Sequence, residues 1–158
     1  MTSEKTRRVA HDLALAALIG GNLFGRTAMH PALADISDPA ERGKVLNHAW
    51  RRYGTVNSLA LLTLTGTWLG TRRPGKARGM TRANDLAIAA VVVTGLASAA
   101  GGVGFAQQAP AGSVPMSSGQ TTSPDATRQA TRIKQVLNVL GALNLAADVA
   151  LLALNYSR

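Results

Sequence analysis

Residues 86–106, LAIAAVVVTGLASAAGGVGFA, carry no charged side chain. A helix needs about 20 predominantly apolar residues to cross a hydrocarbon core of about 30 Å, and only helices or closed barrels satisfy the backbone there. Residues 53–71 also lack a charge, and residues 136–156 hold only Asp148. Residues 9–28 are a fourth such stretch, interrupted by Asp12 and Arg26. The sequence therefore predicts an all-α protein: a four-transmembrane-helix bundle of antiparallel up-down topology. The spans fall at about 9–28, 53–71, 86–106 and 136–156, within a single integral membrane domain covering residues 1–158.

After four spans, a chain of 158 residues has little left but connections, so no separate catalytic domain fits. The longest connection, 107–132, is uncharged from Gln107 to Ser123 and rich in Gly, Pro, Ser, Thr and Gln, which predicts a flexible polar loop. The net charge of +9 gathers around span ends rather than along one face. The lipid bilayer, with room for a membrane protein partner, is thus expected in place of nucleic acid. The chain has no cysteine, which excludes disulfides, thiolate metal sites and thiol nucleophiles. Thirteen arginines against four lysines, with abundant Ala and Gly, point to a GC-rich bacterial genome.

Arg72, Arg73, Lys76, Arg78 and Arg82 crowd one connection that holds no acid before Arg82, and such a loop stays cytoplasmic. Both termini then lie in the cytoplasm of a protein of the bacterial cytoplasmic membrane, with nine basic residues inside against eight outside. Trp50 and Tyr53 mark one interface, and Trp68 and Tyr156 the other. Lys5, Arg7 and Arg8, an apolar core from Leu13 to Phe24 and the Ala32-Leu33-Ala34 step resemble a cleavable signal peptide. Asp12 before that core, and Arg26 and His30 after it, favour a retained span instead. Pro31 is expected to end the first helix, and Asp38 or Ser37 to cap a second that starts at Pro39 and runs through Trp50 into residues 53–71. Gly95, Ala99 and Gly102 make a small-residue stripe for close helix contact.

Polar residues inside a membrane are costly, and they fall into two groups here. Asn22, Arg26 and His30 recur every four residues on one face of the first span. Levelling antiparallel spans by helical rise brings Asn57 and Asn138 to the depth of Arg26, with His48 just above. This cluster reads either as interfacial hydrogen bonding around a snorkelling Arg26 or as a site for an anion, a quinone or a haem propionate. The second group centres on Asp148, with Asn144 and Asn155 on its own helix and Thr63, Thr67 and Thr94 at its depth. It reads as a protonatable relay or as a hydrogen-bonding lock. No metal site is expected, and no cofactor is predicted. Haem or quinone are the alternatives; for bis-histidine haem ligation only His30 and His48 share a depth, both at span edges, and His11 sits at the opposite face. HExxH, P-loop, GxGxxG and GxSxG patterns are absent, so hydrolase, kinase and dinucleotide chemistry find no support.

The runs Gly20-Gly21-Asn22-Leu23-Phe24-Gly25, Met29-His30-Pro31-Ala32-Leu33 and Asn47-His48-Ala49-Trp50-Arg51-Arg52-Tyr53 resemble those of small bacterial four-helix membrane proteins of unknown function. They are distantly similar to the anthrone-oxygenase-like group. The likeness lies in a glycine-rich first span before a His-Pro step, and in a Trp and basic residues at the mouth of the second. It covers about the first third of the chain. It implies cofactor-independent oxygenation of a polycyclic phenol, with His30, Asn47 and Trp50 as the residues to carry it. The expected role is thus an accessory or interaction subunit or a small-ligand binder, with a membrane-embedded oxygenase and a haem- or quinone-binding subunit as alternatives.

Overall fold

A computed structural model describes residues 3–71, 82–109 and 112–157. Arg72, Arg73, Lys76 and Arg78 of the basic connection lie outside the described residues, as does Arg158, while Arg82 opens a helix. Four long helices pack together: α1 (Ser3–Phe24), α3 (Pro39–Thr71), α4 (Arg82–Ala106) and α5 (Arg128–Tyr156). A single three-residue turn, α2 (His30–Ala32), lies between the first two. No strand occurs among the described residues, apart from one isolated bridge between Met116 and Thr122.

Contacts between neighbours pair rising with falling residue numbers. Asn22 meets Gly141 and His11 meets Asn155 across α1 and α5, while Gly95 receives Leu61 across α4 and α3. The helices are therefore antiparallel in sequence order. The start of α1 and the end of α5 lie at one end of the bundle, here the terminal end, and the described residues of the connector, 107–109 and 112–127, lie at the opposite, loop end. Of the small-residue stripe, Gly95 does take a neighbour, whereas Gly102 faces open space and Gly101 instead receives Leu137.

Helix starts follow local chemistry. Asp38 Oδ1 accepts from the Ala40 amide at 3.0 Å, with Pro39 at the first helical position, and α3 runs unbroken for 33 residues. The Thr127 hydroxyl oxygen accepts from the Ala130 amide at 3.1 Å and starts α5 at Arg128, eight residues before its apolar stretch begins. Pro31 does not end the first helix. A π-helical turn (Gly25–Met29) precedes α2, and a 3-10 turn (Leu33–Asp35) carries the path onward. The wider turn accommodates a ring that lacks an amide donor and would crowd the carbonyl four residues back.

Two cores hold the bundle. Leu15, Leu18, Leu64, Ile88, Val91 and Leu151 fill the terminal half, and Leu33, Leu46, Phe105, Val114, Met116 and Ala130 the loop half. Val114 and Met116 belong to the connector expected to be loose, yet they are 1% and 0% exposed. That segment is packed because Arg42, itself buried, donates to four carbonyls. Its Nε reaches Leu33 O at 2.8 Å, Nη1 reaches Met116 O and Ser117 O at 2.7 Å each, and Nη2 reaches Ile36 O. Composition alone misreads the segment, because the residue that orders it stands 74 positions away.

Among the described residues, two helices are long and apolar enough to cross a membrane: α4 and α5, whose most apolar stretches have mean hydropathies of 2.1 and 1.9. The stretches in α1 and α3, expected to qualify as well, are diluted by His11, Asp12, Asn22 and Arg26 and by a run of Thr, Gly and Asn.

Candidate functional site

Two glycines, Gly21 in α1 and Gly25 at the start of the π turn, set the loop-end geometry. The Trp50 ring lies over Gly25, where a Cβ would come within 2.7 Å of it, and the end of the Tyr53 ring occupies the space a Cβ at Gly21 would need. The Tyr53 hydroxyl then donates to Ala17 O. With α3 seated this closely, Trp50 Nε1 donates to His30 Nε2 at 3.3 Å, and the two rings meet edge to face with centroids 5.7 Å apart. Because Nε2 accepts, the proton of the neutral imidazole sits on Nδ1, which is buried and has no hydrogen-bond partner.

Beside His30, α1 is tied to α5 through polar groups. Arg26 Nε donates to Asn22 Oδ1 at 3.0 Å and its Nη2 to Asn138 O at 3.0 Å, while Asn22 Nδ2 donates to Gly141 O at 3.1 Å. Lys134 completes the group from α5, one turn before Asn138. It is 7% exposed, and its ammonium lies 5.9 Å from the centre of the Phe105 ring. No carboxylate pairs with Arg26 or Lys134 among the described residues. Burial first, and the neighbouring positive charge second, make both bases hold a proton less readily than usual. Burial, then the charge of Arg26, lowers Lys134 to about 8. Burial, then Lys134 and Arg26, lowers His30 to about 4.

The connector roofs this cluster. Gly119 lies against His30 so closely that a Cβ there would overlap the histidine's own Cα and Cβ. Asn138 Nδ2 donates to Gln120 O at 2.8 Å. A tight turn, with the Ser117 amide donating to Thr121 O at 2.9 Å, holds the roof in shape.

Of the residues read from sequence, Asn22, Arg26, His30 and Asn138 converge, and Trp50 joins them through His30. His48 is exposed on α3 and does not converge with His30 on a shared site. Asn57 and Asn47 are half-buried on α3 and make no hydrogen bond into the cluster among the described residues. Levelling by rise finds depth but not azimuth, and this is why His48 and Asn57 were grouped with Arg26. Lys134 was missed. It stands seven residues before Gly141, fourteen before Asp148 and twenty-one before Asn155, so heptad spacing places all four on the interior face of α5.

The second expected group divides. Asp148 is 0% exposed, and both of its carboxyl oxygens are buried without a hydrogen-bond partner. Asn144 turns to α4 instead, donating to Thr94 Oγ1 at 2.9 Å and to Val91 O at 3.2 Å. Thr63 is half-buried and makes no bond to Asp148 among the described residues. Thr67 and Asn155 belong to a network at the terminal end. There Asn84 Nδ2 donates to Asn155 Oδ1 at 2.9 Å, and Asn155 Nδ2 meets His11 Nε2 at 3.2 Å. His11 Nδ1 meets Thr67 Oγ1 at 3.0 Å, and Thr67 gives its own proton to Leu64 O at 2.9 Å. That last bond fixes the direction of the rest: His11 is a neutral imidazole with its proton on Nδ1.

None of the protein-family models, curated proteins or solved structures compared with this chain matches it.

Proposed function

We propose that this chain is a four-span integral membrane protein of the bacterial cytoplasmic membrane that binds a small anionic ligand at the loop end of its bundle. Only 17% of the most apolar window of α4, and the same share of α5, is buried. The core helix of a soluble protein would be largely covered, whereas here Leu86, Val93, Leu96, Val103, Val136 and Val139 stand exposed. Lipid is the solvent that suits such faces. Ser3 and Ser157 lie at one end, as an even number of spans requires, and the basic residues between α3 and α4 favour that end as the cytoplasmic one.

The observation that carries the ligand reading is Lys134: an almost wholly buried side chain whose ammonium lies over the Phe105 ring beside a second cation, with no counter-charge among the described residues. Burying an unpaired charge costs several kcal/mol, and a bound anion would offset that cost. Arg26 keeps three of its five N–H donors beyond its two bonds, and the His30 Nδ1–H is an unused donor in the same cluster. The geometry favours binding over the oxygenase expectation. The one lone pair His30 could use as a base is already held by Trp50.

The test is an absorption spectrum and extract mass spectrum of protein purified in mild detergent, alongside its Lys134→Met variant. A stoichiometric anion that leaves with the lysine supports the reading. Protein that purifies empty and gains no thermal stability from any anion offered would refute it. Haem bands would move the site into the haem class.

A further inference from the structure

On the outside of α5, Ala142, Leu145, Ala146, Val149, Ala150 and Ala153 line an apolar furrow, and the side chain that closes its loop-end mouth is Arg26. The alanines keep the furrow low, so a slender apolar chain could lie close to the helix backbone. From Ala142 to Ala153 the furrow runs eleven residues, about 16 Å at the helical rise of about 1.5 Å per residue. One leaflet of a hydrocarbon core about 30 Å thick offers a lipid chain about the same length. At the mouth, Arg26 keeps three N–H donors beside a furrow that is otherwise wholly apolar, and Lys134, on the interior face of α5, adds its charge close enough to be felt by Arg26. An apolar channel the length of an acyl chain, ending on the Arg26 guanidinium with a second cation behind it and no carboxylate, is complementary to one kind of molecule.

Resting on the ligand reading above, we infer that the anion is the phosphate headgroup of a membrane lipid, held by Arg26 and Lys134, with one acyl chain lying in the furrow of α5. A soluble phosphate would use the cations and leave the furrow empty. A zwitterionic lipid would fill the furrow but bring its own cation to a site that already has two. Both halves of the site are needed, and an anionic phospholipid supplies both.

The experiment is a native mass spectrometry titration of the full chain in mild detergent. Three probes are used: phosphatidylglycerol, phosphatidylcholine with the same chains, and glycerol phosphate. Wild type is compared with Ala146→Phe, which fills the furrow from an exposed position, and with Lys134→Met; circular dichroism checks that each variant folds. Phosphatidylglycerol is expected to bind at least about tenfold tighter than either other probe, a difference of about 1.4 kcal/mol. Ala146→Phe should remove that advantage while leaving glycerol phosphate binding unchanged, and Lys134→Met should weaken both anions. If glycerol phosphate binds as tightly as the lipid and Ala146→Phe changes nothing, the lipid assignment falls while the anion site stands. If the two phospholipids bind alike, the headgroup assignment falls. If no anion binds, the underlying ligand reading falls as well.

Discussion

Replacing Arg42 with Met keeps an apolar stem of similar length and removes all four of the guanidinium's bonds, two of which hold the connector. Four carbonyls lose a charged partner: Leu33 O and Met116 O in buried positions, Ser117 O and Ile36 O where water can reach. A hydrogen bond to a charged group contributes about 1.5–3 kcal/mol. Counting only the two buried bonds, since water replaces the others, gives a loss of about 3–6 kcal/mol. That loss falls on the segment rather than on the whole bundle. The terminal core of Leu15, Leu64, Ile88 and Leu151 is distant from Arg42 and shares no partner with it. Hydrogen exchange in detergent micelles reads this directly. Amides of residues 112–127 and 33–38 should lose protection by the equivalent of about 3–6 kcal/mol, while those of residues 57–66 should change little. Arg42→Lys should lose most of the same protection, because a point ammonium cannot span four acceptors. Protection of 112–127 within about 1 kcal/mol of wild type in the Met variant would show that apolar burial of Val114 and Met116 holds the segment without the guanidinium.

The remaining predictions concern the cations, the buried acid and the glycine slot. Lys134 holds a proton less readily folded than unfolded, so ligand-free stability should be fully present above its ordinary 10.5 and fall as pH drops toward about 8. The shift is worth roughly 3 kcal/mol, and Lys134→Met should flatten the profile in a denaturation series. His30 adds a second loss, of the same sign, as pH falls from its ordinary 6.5 toward about 4. Asp148→Asn should leave the fold intact in thermal unfolding, since no hydrogen bond to the carboxyl exists to be lost, and Asp148→Leu should raise stability by about 1–3 kcal/mol. A clear drop with Leu would show that the carboxyl has a partner in the membrane. Gly21→Ala should cost about 1–3 kcal/mol, because its new methyl meets the Tyr53 ring, and pairing it with Tyr53→Ala should recover part of the loss. Additive losses in the double variant would place the strain elsewhere.

How far the sequence could be read depends on the range of the interactions involved. The helices were legible because an uncharged run such as residues 86–106, or an Asp38-Pro39 start, is a local pattern. Arg26, Asn22 and His30 were legible for the same reason, as i to i+4 neighbours on one helix. The boundary of α5 was not, since hydropathy overlooks the polar turns between Arg128 and Gln135 that Thr127 initiates. Pro31 misled because a π turn, rather than a stop, absorbs its ring. His48 and Asn57 misled because matching depths leaves rotation about the helix axis undetermined. Lys134 passed for an end-of-span charge, though its heptad relation to Asp148 was already on view. The connector's order hangs on a pairing between Arg42 and Met116 that no window of sequence contains.

The asparagine and histidine links at the terminal end have a sense of travel. From Asn84 through Asn155 and His11 to Thr67, each member donates a hydrogen bond forward, and each after Asn84 accepts one from behind, crossing from α4 to α5 to α1 to α3. Such a queue cannot turn round one member at a time. Were His11 to take a second proton at Nε2, it would confront the Asn155 amide hydrogens. Asn155 would have to swing its carbonyl forward, and Asn84 would then face a donor where it had an acceptor. An event at one imidazole on α1 is thereby felt on α5 and α4 at once, while the bond to Thr67 on α3 stays as it was, like a row of turnstiles set to pass traffic in a single direction.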